Sequence, residues 1–401
     1  MLIVNALPDH GAPLEPRDAA LLGRAGAAEA GRFLAARASD APTPLHAMPA
    51  LAGELGVRAL SVKDEGHRLG LGSFKALGGA YAVARLLLEE AGRRLGRTVD
   101  ARELQAPEVR ATAATLTFAC ATDGNHGRSV AQGAESLGAR SVIFVHAGVS
   151  DARVASIARF GAELVRVAGT YDDSVVEAAR VAAERGWIIV SDTSWDGYER
   201  IPGLVMQGYT VMVREALDAM GEPPTHVFVQ AGVGGVAAAV AAHLVDVSGD
   251  ARPAVVVVEP SRAACLLASA RAGHPVRIAH GAPTVMAMLE CYEPSPLAWR
   301  ILARAGDAFM TVEDDDAVAA MRRLARPLAG DPPIVAGESG AAGLAGLVRV
   351  AGDARARADV RLDANARVLV FVTEGATDPA RYRELVGIEA ADVAPSAVAG
   401  R

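Results

Sequence analysis

Five continuous apolar runs bounded by polar loops constrain the fold more than anything else in the chain: Ser141–Val145, Trp187–Val190, Thr225–Val229, Ala254–Val258 and Arg367–Val372. Runs without polar alternation read as strands buried on both faces, the pattern of a parallel sheet. Alanine-rich stretches at helical spacing lie between them, at Ala152–Phe160, Ser174–Arg185, Val236–Val247 and Asp316–Leu328. Strand and helix therefore alternate, which predicts a doubly wound α/β architecture. Aromatic residues make up only 4 % of a chain that is 51 % hydrophobic, so the apolar content suits helices packed closely on sheets. With 401 residues the chain is long enough for two cores. Ser150, and Asp173 with Ser174, read as helix caps, and the residues from about Ala390 read as a frayed tail.

Charge and cysteine usage exclude several classes of partner. The formal net charge is −7 and no dense Lys/Arg block occurs, so neither nucleic acid nor a membrane surface is an expected partner. The apolar stretch Gly234–Val245 is too short to span a bilayer, and the opening residues Met1–Asn5 lack a secretory pattern, so the cytoplasm is the expected location. Cys120, Cys265 and Cys291 form no C-x-x-C pair, and no metal site is expected. Cys265 and Cys291 bracket one segment and could meet in space; buried free thiols are the blander reading.

Three motifs carry chemistry. Lys75 sits at a loop-to-helix junction between Phe74 and Ala76-Leu77, and desolvation of its ammonium is expected to lower its pKa and make it a nucleophile. Taken alone, such a lysine is more often a snorkelling surface residue. Ala121-Thr-Asp-Gly-Asn-His-Gly127 opens a helix, with glycines for a tight turn and an Asn125 amide able to donate to a phenolate-type oxygen. Val229-Gln-Ala-Gly-Val-Gly-Gly-Val236 links a strand to a helix, where main-chain N–H groups would bind a phosphate. This loop also fits a dinucleotide fingerprint with Glu259 as the ribose acid, so an NAD-dependent dehydrogenase is a rival on that motif alone.

The elements Ser73-Phe74-Lys75, Gly124–Gly127 and Gly232–Gly235, in this order, resemble fold-type-II pyridoxal-phosphate enzymes related to threonine dehydratase and tryptophan synthase β. The strings Phe74–Gly79, Ala121–Arg128, Ser191–Trp195, Met206–Thr210, Gly337–Gly340 and Thr373–Asp378, spread over nearly the whole chain, resemble the diaminopropionate ammonia-lyase family in particular. One departure is Gly72, where that family's pattern leads to an asparagine.

The resemblance implies two doubly wound α/β domains with the cofactor, pyridoxal 5′-phosphate, in the cleft between them: residues 1–80 with 202–401, and residues 81–201. It implies that Lys75 holds the cofactor and takes the Cα proton on one face, and that Phe74 packs on the ring. Asn125 would meet the 3′ oxygen, and Gly232, Val233, Gly234 and Gly235 would cradle the phosphate. Thr373 is favoured over Glu374 and Thr377 beside the ring nitrogen. Asp123 would be a second base on the opposite face, or else a cap of its own turn. Asp192, with Asp123, would bind the second ammonium of a diamino substrate. His67, His126 and His146 are read as structural. The expected reaction is α,β-elimination of 2,3-diaminopropionate, of both enantiomers, to pyruvate and two ammonia by a homodimer. The alternatives are a threonine or serine dehydratase, the dehydrogenase, and a catalytically silent binding protein.

Overall fold

The structure, a computed structural model, describes residues 1–36, 41–122 and 124–393. Its strands are β1 (Leu2–Val4), β2 (Leu45–Ala47), β3 (Ala59–Asp64), β4 (Thr117–Ala121), β5 (Arg140–His146), β6 (Glu163–Val167), β7 (Ile188–Ile189), β8 (His226–Gln230), β9 (Ala254–Pro260), β10 (Ala308–Val312) and β11 (Arg367–Val372). They form a seven-stranded sheet in the order β1-β10-β9-β8-β11-β3-β2 and a four-stranded sheet in the order β6-β5-β4-β7. The smaller sheet is parallel throughout. The larger is parallel except at its two ends, where β1 and β2 pair antiparallel with β10 and β3.

All five apolar runs coincide with or overlap a strand, and Val255–Val258 are essentially inaccessible. The four helical stretches appear as Asp151–Ala158, Tyr171–Arg185, Gly235–Ser248 and Asp314–Ala325. Gly235–Ser248 is apolar on every side because it is buried against two neighbouring helices, Arg200–Ala219 and Pro296–Ala305. Ser150 caps its helix by accepting from the Arg153 N–H, but the next cap differs from expectation. Thr170, not Asp173 or Ser174, is the N-cap there, and Asp173 answers it as the third residue of a capping box. Residues beyond 393, most of the expected tail, lie outside the described residues; Ala390–Asp392 form a single 3₁₀ turn.

β3 escaped the sequence pattern because it carries buried charge. Lys63 Nζ lies 2.7 Å from Glu215 Oε2, Arg68 Nε lies 2.8 Å from Glu65 Oε2, and Arg68 Nη1 lies 3.0 Å from Glu215 Oε1. Buried charges persist only when paired and hydrogen-bonded, and this network fixes the loop that runs from β3 into the helix Lys75–Leu95. Among the described residues no helix is long and apolar enough to cross a membrane.

Candidate active site

The loop after β3 reaches Lys75 by pairing with the end of β11. Gly375 N donates to Gly72 O at 3.0 Å, Phe74 N donates to Thr373 O at 2.9 Å, and Ser73 bridges Glu374. Gly72 holds φ +74°, a left-handed conformation that glycine adopts freely and asparagine better than most other residues. The departure from the family's asparagine at this position therefore preserves the backbone geometry. Lys75 is the first residue of its helix, and its amine faces the carboxylate of Asp192, which follows β7.

That pairing reverses the expectation for the lysine. Burial does oppose its charge, but Asp192 and Tyr209 outweigh burial, and the Lys75 pKa is raised, not lowered. The Asp192 carboxyl, though also desolvated, is held below its ordinary range by Lys75 and then by His126. His126 Nε2 lies 2.7 Å from Val190 O, which can only accept, so this nitrogen carries the proton. Burial lowers the His126 pKa, which leaves Nδ1 as a lone pair 3.9 Å from Asp192 Oδ2.

Asn125 opens the helix Asn125–Leu137, and its Nδ2 donates to Glu374 Oε2 at 2.6 Å. One amide hydrogen remains for another acceptor. Burial first, and then the neighbouring Glu338 charge, push Glu374 up to about 7. Thr373 Oγ1 accepts from Gln230 Nε2 at 2.7 Å, while the same nitrogen lies 3.0 Å from the carbonyls of Gly340 and Phe371. Phe74 is buried, with its ring 4.7 Å from that of Tyr209.

The glycine turn Gly232–Gly235 lies between β8 and the helix Gly235–Ser248. Gly234 is the N-cap at φ +101°, and no side chain caps the first turn. A Cβ on Gly232 would stand 2.8 Å from Cys291 Sγ, and one on Gly234 would stand 3.1 Å from Ala298 Cβ. The Gly235 position looks toward Asp192 O at 3.6 Å and Met206 Cγ at 3.8 Å, which sets this turn beside the strand end carrying Asp192. An uncapped helix N-terminus bordered by glycine is a cradle of main-chain donors that suits a phosphate.

Glu259 is not free for a ribose. Its buried carboxylate accepts from Leu266 N at 2.8 Å and Leu267 N at 2.7 Å at the start of the helix Cys265–Ala272, and burial pushes it up to about 8. The three cysteines are free thiols. Asp123 lies outside the described residues.

Lys75, Phe74, Asn125, Thr373, Asp192 and the Gly232–Gly235 turn thus meet at the facing ends of the two sheets. Tyr209, Gln230 and Glu338 join them without having been assigned such places from sequence, although each stands in or beside a quoted motif; Glu374, the sequence alternative to Thr373, joins them through its bond from Asn125. An amine held by a carboxylate, a glycine turn of main-chain donors and the Thr373 hydroxyl, which Gln230 leaves free to donate, together fit pyridoxal phosphate.

The chain belongs to the family of pyridoxal-phosphate dependent enzymes, whose sequence pattern matches residues 37–374. Within it, the chain is 40 % identical over 352 residues to diaminopropionate ammonia-lyase of Escherichia coli strain K12, a match covering 86 % of this chain and 87 % of the relative. The crystal structure of the Escherichia coli enzyme in complex with an aminoacrylate–PLP azomethine reaction intermediate superposes with a TM-score of 0.86 at 39 % identity, covering 96 % of each chain. The same enzyme in complex with D-serine matches with a TM-score of 0.86 at 38 % identity, again over 96 % of each chain. The fold is the type-II fold of this family.

Proposed function

We propose that the protein eliminates ammonia from 2,3-diaminopropionate, with either configuration at Cα, and so yields pyruvate and two ammonia after uptake of one water. The observation that carries this reading is the Lys75–Asp192 pair set beside an uncapped glycine turn. It is supported by the likeness to diaminopropionate ammonia-lyases.

Pyridoxal phosphate, when bound, supplies the electron sink for the Cα carbanion. Gly232, Val233, Gly234 and Gly235 would hold its phosphate through main-chain donors. Asn125 would direct its remaining amide hydrogen to the 3′ oxygen, with the other spent on Glu374. Thr373 would offer its hydroxyl to the ring nitrogen, since Gln230 already donates to that oxygen. Phe74 would pack on the ring.

Lys75 would bind the cofactor covalently and, once released by the incoming amine, remove the Cα proton from one face. Asp123 is assigned the other face, which would serve the opposite enantiomer. Asp192 loses its cation when Lys75 gives up its charge, and a buried carboxylate without a partner is costly. The second ammonium of a diamino substrate replaces that charge, which favours diaminopropionate over serine. No described group of three or more His, Cys, Asp or Glu is arranged to hold a metal ion, and the scheme uses none.

Residues 81–201 are proposed as a smaller domain that closes on residues 1–80 and 202–401. In support, the four-stranded sheet lies wholly within the first segment and the seven-stranded sheet wholly within the others. A cytoplasmic homodimer completes the reading. Pyruvate release from D- and L-diaminopropionate and from L-serine, measured side by side, tests it: faster turnover of serine would defeat the diamino assignment.

A further inference from the structure

The helices Lys75–Leu95 and Arg200–Ala219 cross where each has a glycine. A Cβ on Gly208 would stand 2.4 Å from Leu77 O and 2.9 Å from Gly78 Cα. A Cβ on Gly78 would stand 2.4 Å from Tyr209 Cε1. This close crossing sets the Tyr209 ring against Gly78 and beside the lysine, its centroid 6.0 Å from Lys75 Nζ. Tyr209 is 2 % exposed, yet its hydroxyl has no hydrogen-bond partner among the described residues. Leaving a buried hydroxyl unsatisfied is unfavourable, and packing alone would be met by phenylalanine. Burial pushes the phenol up, so it stays neutral throughout the working pH range and its oxygen is available to accept.

We propose that Tyr209 is a positioning residue for Lys75: its hydroxyl oxygen accepts from an N–H of the neutral amine after the amine has left the cofactor, which leaves the single lone pair free to face the substrate Cα. The inference rests on the function proposed above. While Lys75 is charged, Asp192 holds it; once it is neutral, that ion pair gives way to the substrate's second ammonium, and the Tyr209 oxygen remains beside the nitrogen to accept an N–H. Among the described residues, the other titratable groups facing this amine are Asp192, His126 and Cys291, the first two on the strand end and helix start opposite and the third beside Gly232.

Tyr209→Phe in the cofactor-loaded enzyme tests the assignment, because the variant keeps the ring and the helix crossing. Three quantities are read: kcat for diaminopropionate across pH, the rate at which the lysine-bound visible band returns after a limiting portion of serine or diaminopropionate is consumed, and cofactor content with Tm. Loss of one hydrogen bond from the amine is expected to lower kcat and the band-return rate about tenfold and to move the limb that requires neutral Lys75 downward by about half to one pH unit, since Tyr209 helps raise the lysine's pKa. Cofactor content and Tm are expected to stay at the parental values. Unchanged rates and an unmoved limb would overturn the proposal, as would a fall in rate that only tracks a fall in Tm or cofactor content. A parental protein that releases no pyruvate from diaminopropionate defeats the proposed function instead, and band return with serine still decides the role of Tyr209.

Discussion

The two ends of the site are built on different principles. At the glycine turn, four consecutive residues and the helix that follows supply the whole cradle, so the geometry is local and the donors are main-chain. At the lysine, the amine answers to Asp192, 117 residues away in sequence, and Asn125 answers to Glu374, 249 residues away. The anchoring end tolerates any side chain that does not intrude, whereas the reacting end depends on charges whose values are set by partners from distant elements. On the proposed assignment, a site divided in this way would hold the cofactor through one rigid junction and tune proton chemistry through another.

Removing the amine gives the largest effect expected of any single change. Lys75→Ala should lower turnover by at least about a thousandfold, since the proposed function gives one residue the parts of both attachment point and base. The variant should also lack any covalent cofactor link after borohydride treatment, checked by mass spectrometry. Retained turnover would move the chemistry away from the lysine end altogether. Asp192→Asn comes next: with the carboxylate gone, kcat/KM for diaminopropionate should fall roughly a hundredfold, and that for serine by much less, because only the former brings a second cation to a desolvated partner. Equal losses for both substrates would make Asp192 a partner of Lys75 alone.

The anchoring end should respond through affinity and not through rate. Gly234→Ala places a Cβ 3.1 Å from Ala298 Cβ on a backbone at φ +101°. A strain of about 1–2 kcal/mol at that turn corresponds to a roughly tenfold weaker hold on the cofactor. Cofactor release followed by fluorescence measures this. A fall in kcat at saturating cofactor, with affinity unchanged, would erase the distinction between the two ends.

That division also explains what the sequence revealed. The turn was legible because its information is contiguous: an apolar strand, glycines, then an apolar helix. β9 was legible for the same reason, being valine after valine. β3 was hidden because Lys63 sits inside it, stabilised by Glu215 on a helix more than a hundred residues later. The sign of the Lys75 shift was misjudged because flanking residues report desolvation but not the carboxylate that overrides it. Tyr209 stood in a quoted motif without a role, since nothing local says that two glycines on separate helices let its ring reach the lysine. Thr170 lost to Asp173 as the expected cap because both residues of a capping box look like caps from sequence.

The smallest effect belongs to Glu374, and its sign separates burial from pairing at the reacting end. Its carboxyl is raised from 4.5 to about 7, chiefly by burial and then by Glu338, so the folded state binds a proton that the unfolded chain releases between those values. Stability contributed by this group is therefore fully present below about pH 4.5 and falls as pH rises toward 7, with no further loss above it. Glu374→Gln keeps an acceptor for Asn125 and removes the titration. Its Tm relative to the parental protein should accordingly rise across that window, by an amount on the order of 1 kcal/mol in stability because Glu338 shares the effect. If the difference in Tm were flat with pH, Glu374 would remain ionised when buried, and Asn125 with Arg153 would have to neutralise it fully. The reacting end would then be governed by pairing alone, as at Lys75 and Asp192, with desolvation contributing nothing that a titration can detect.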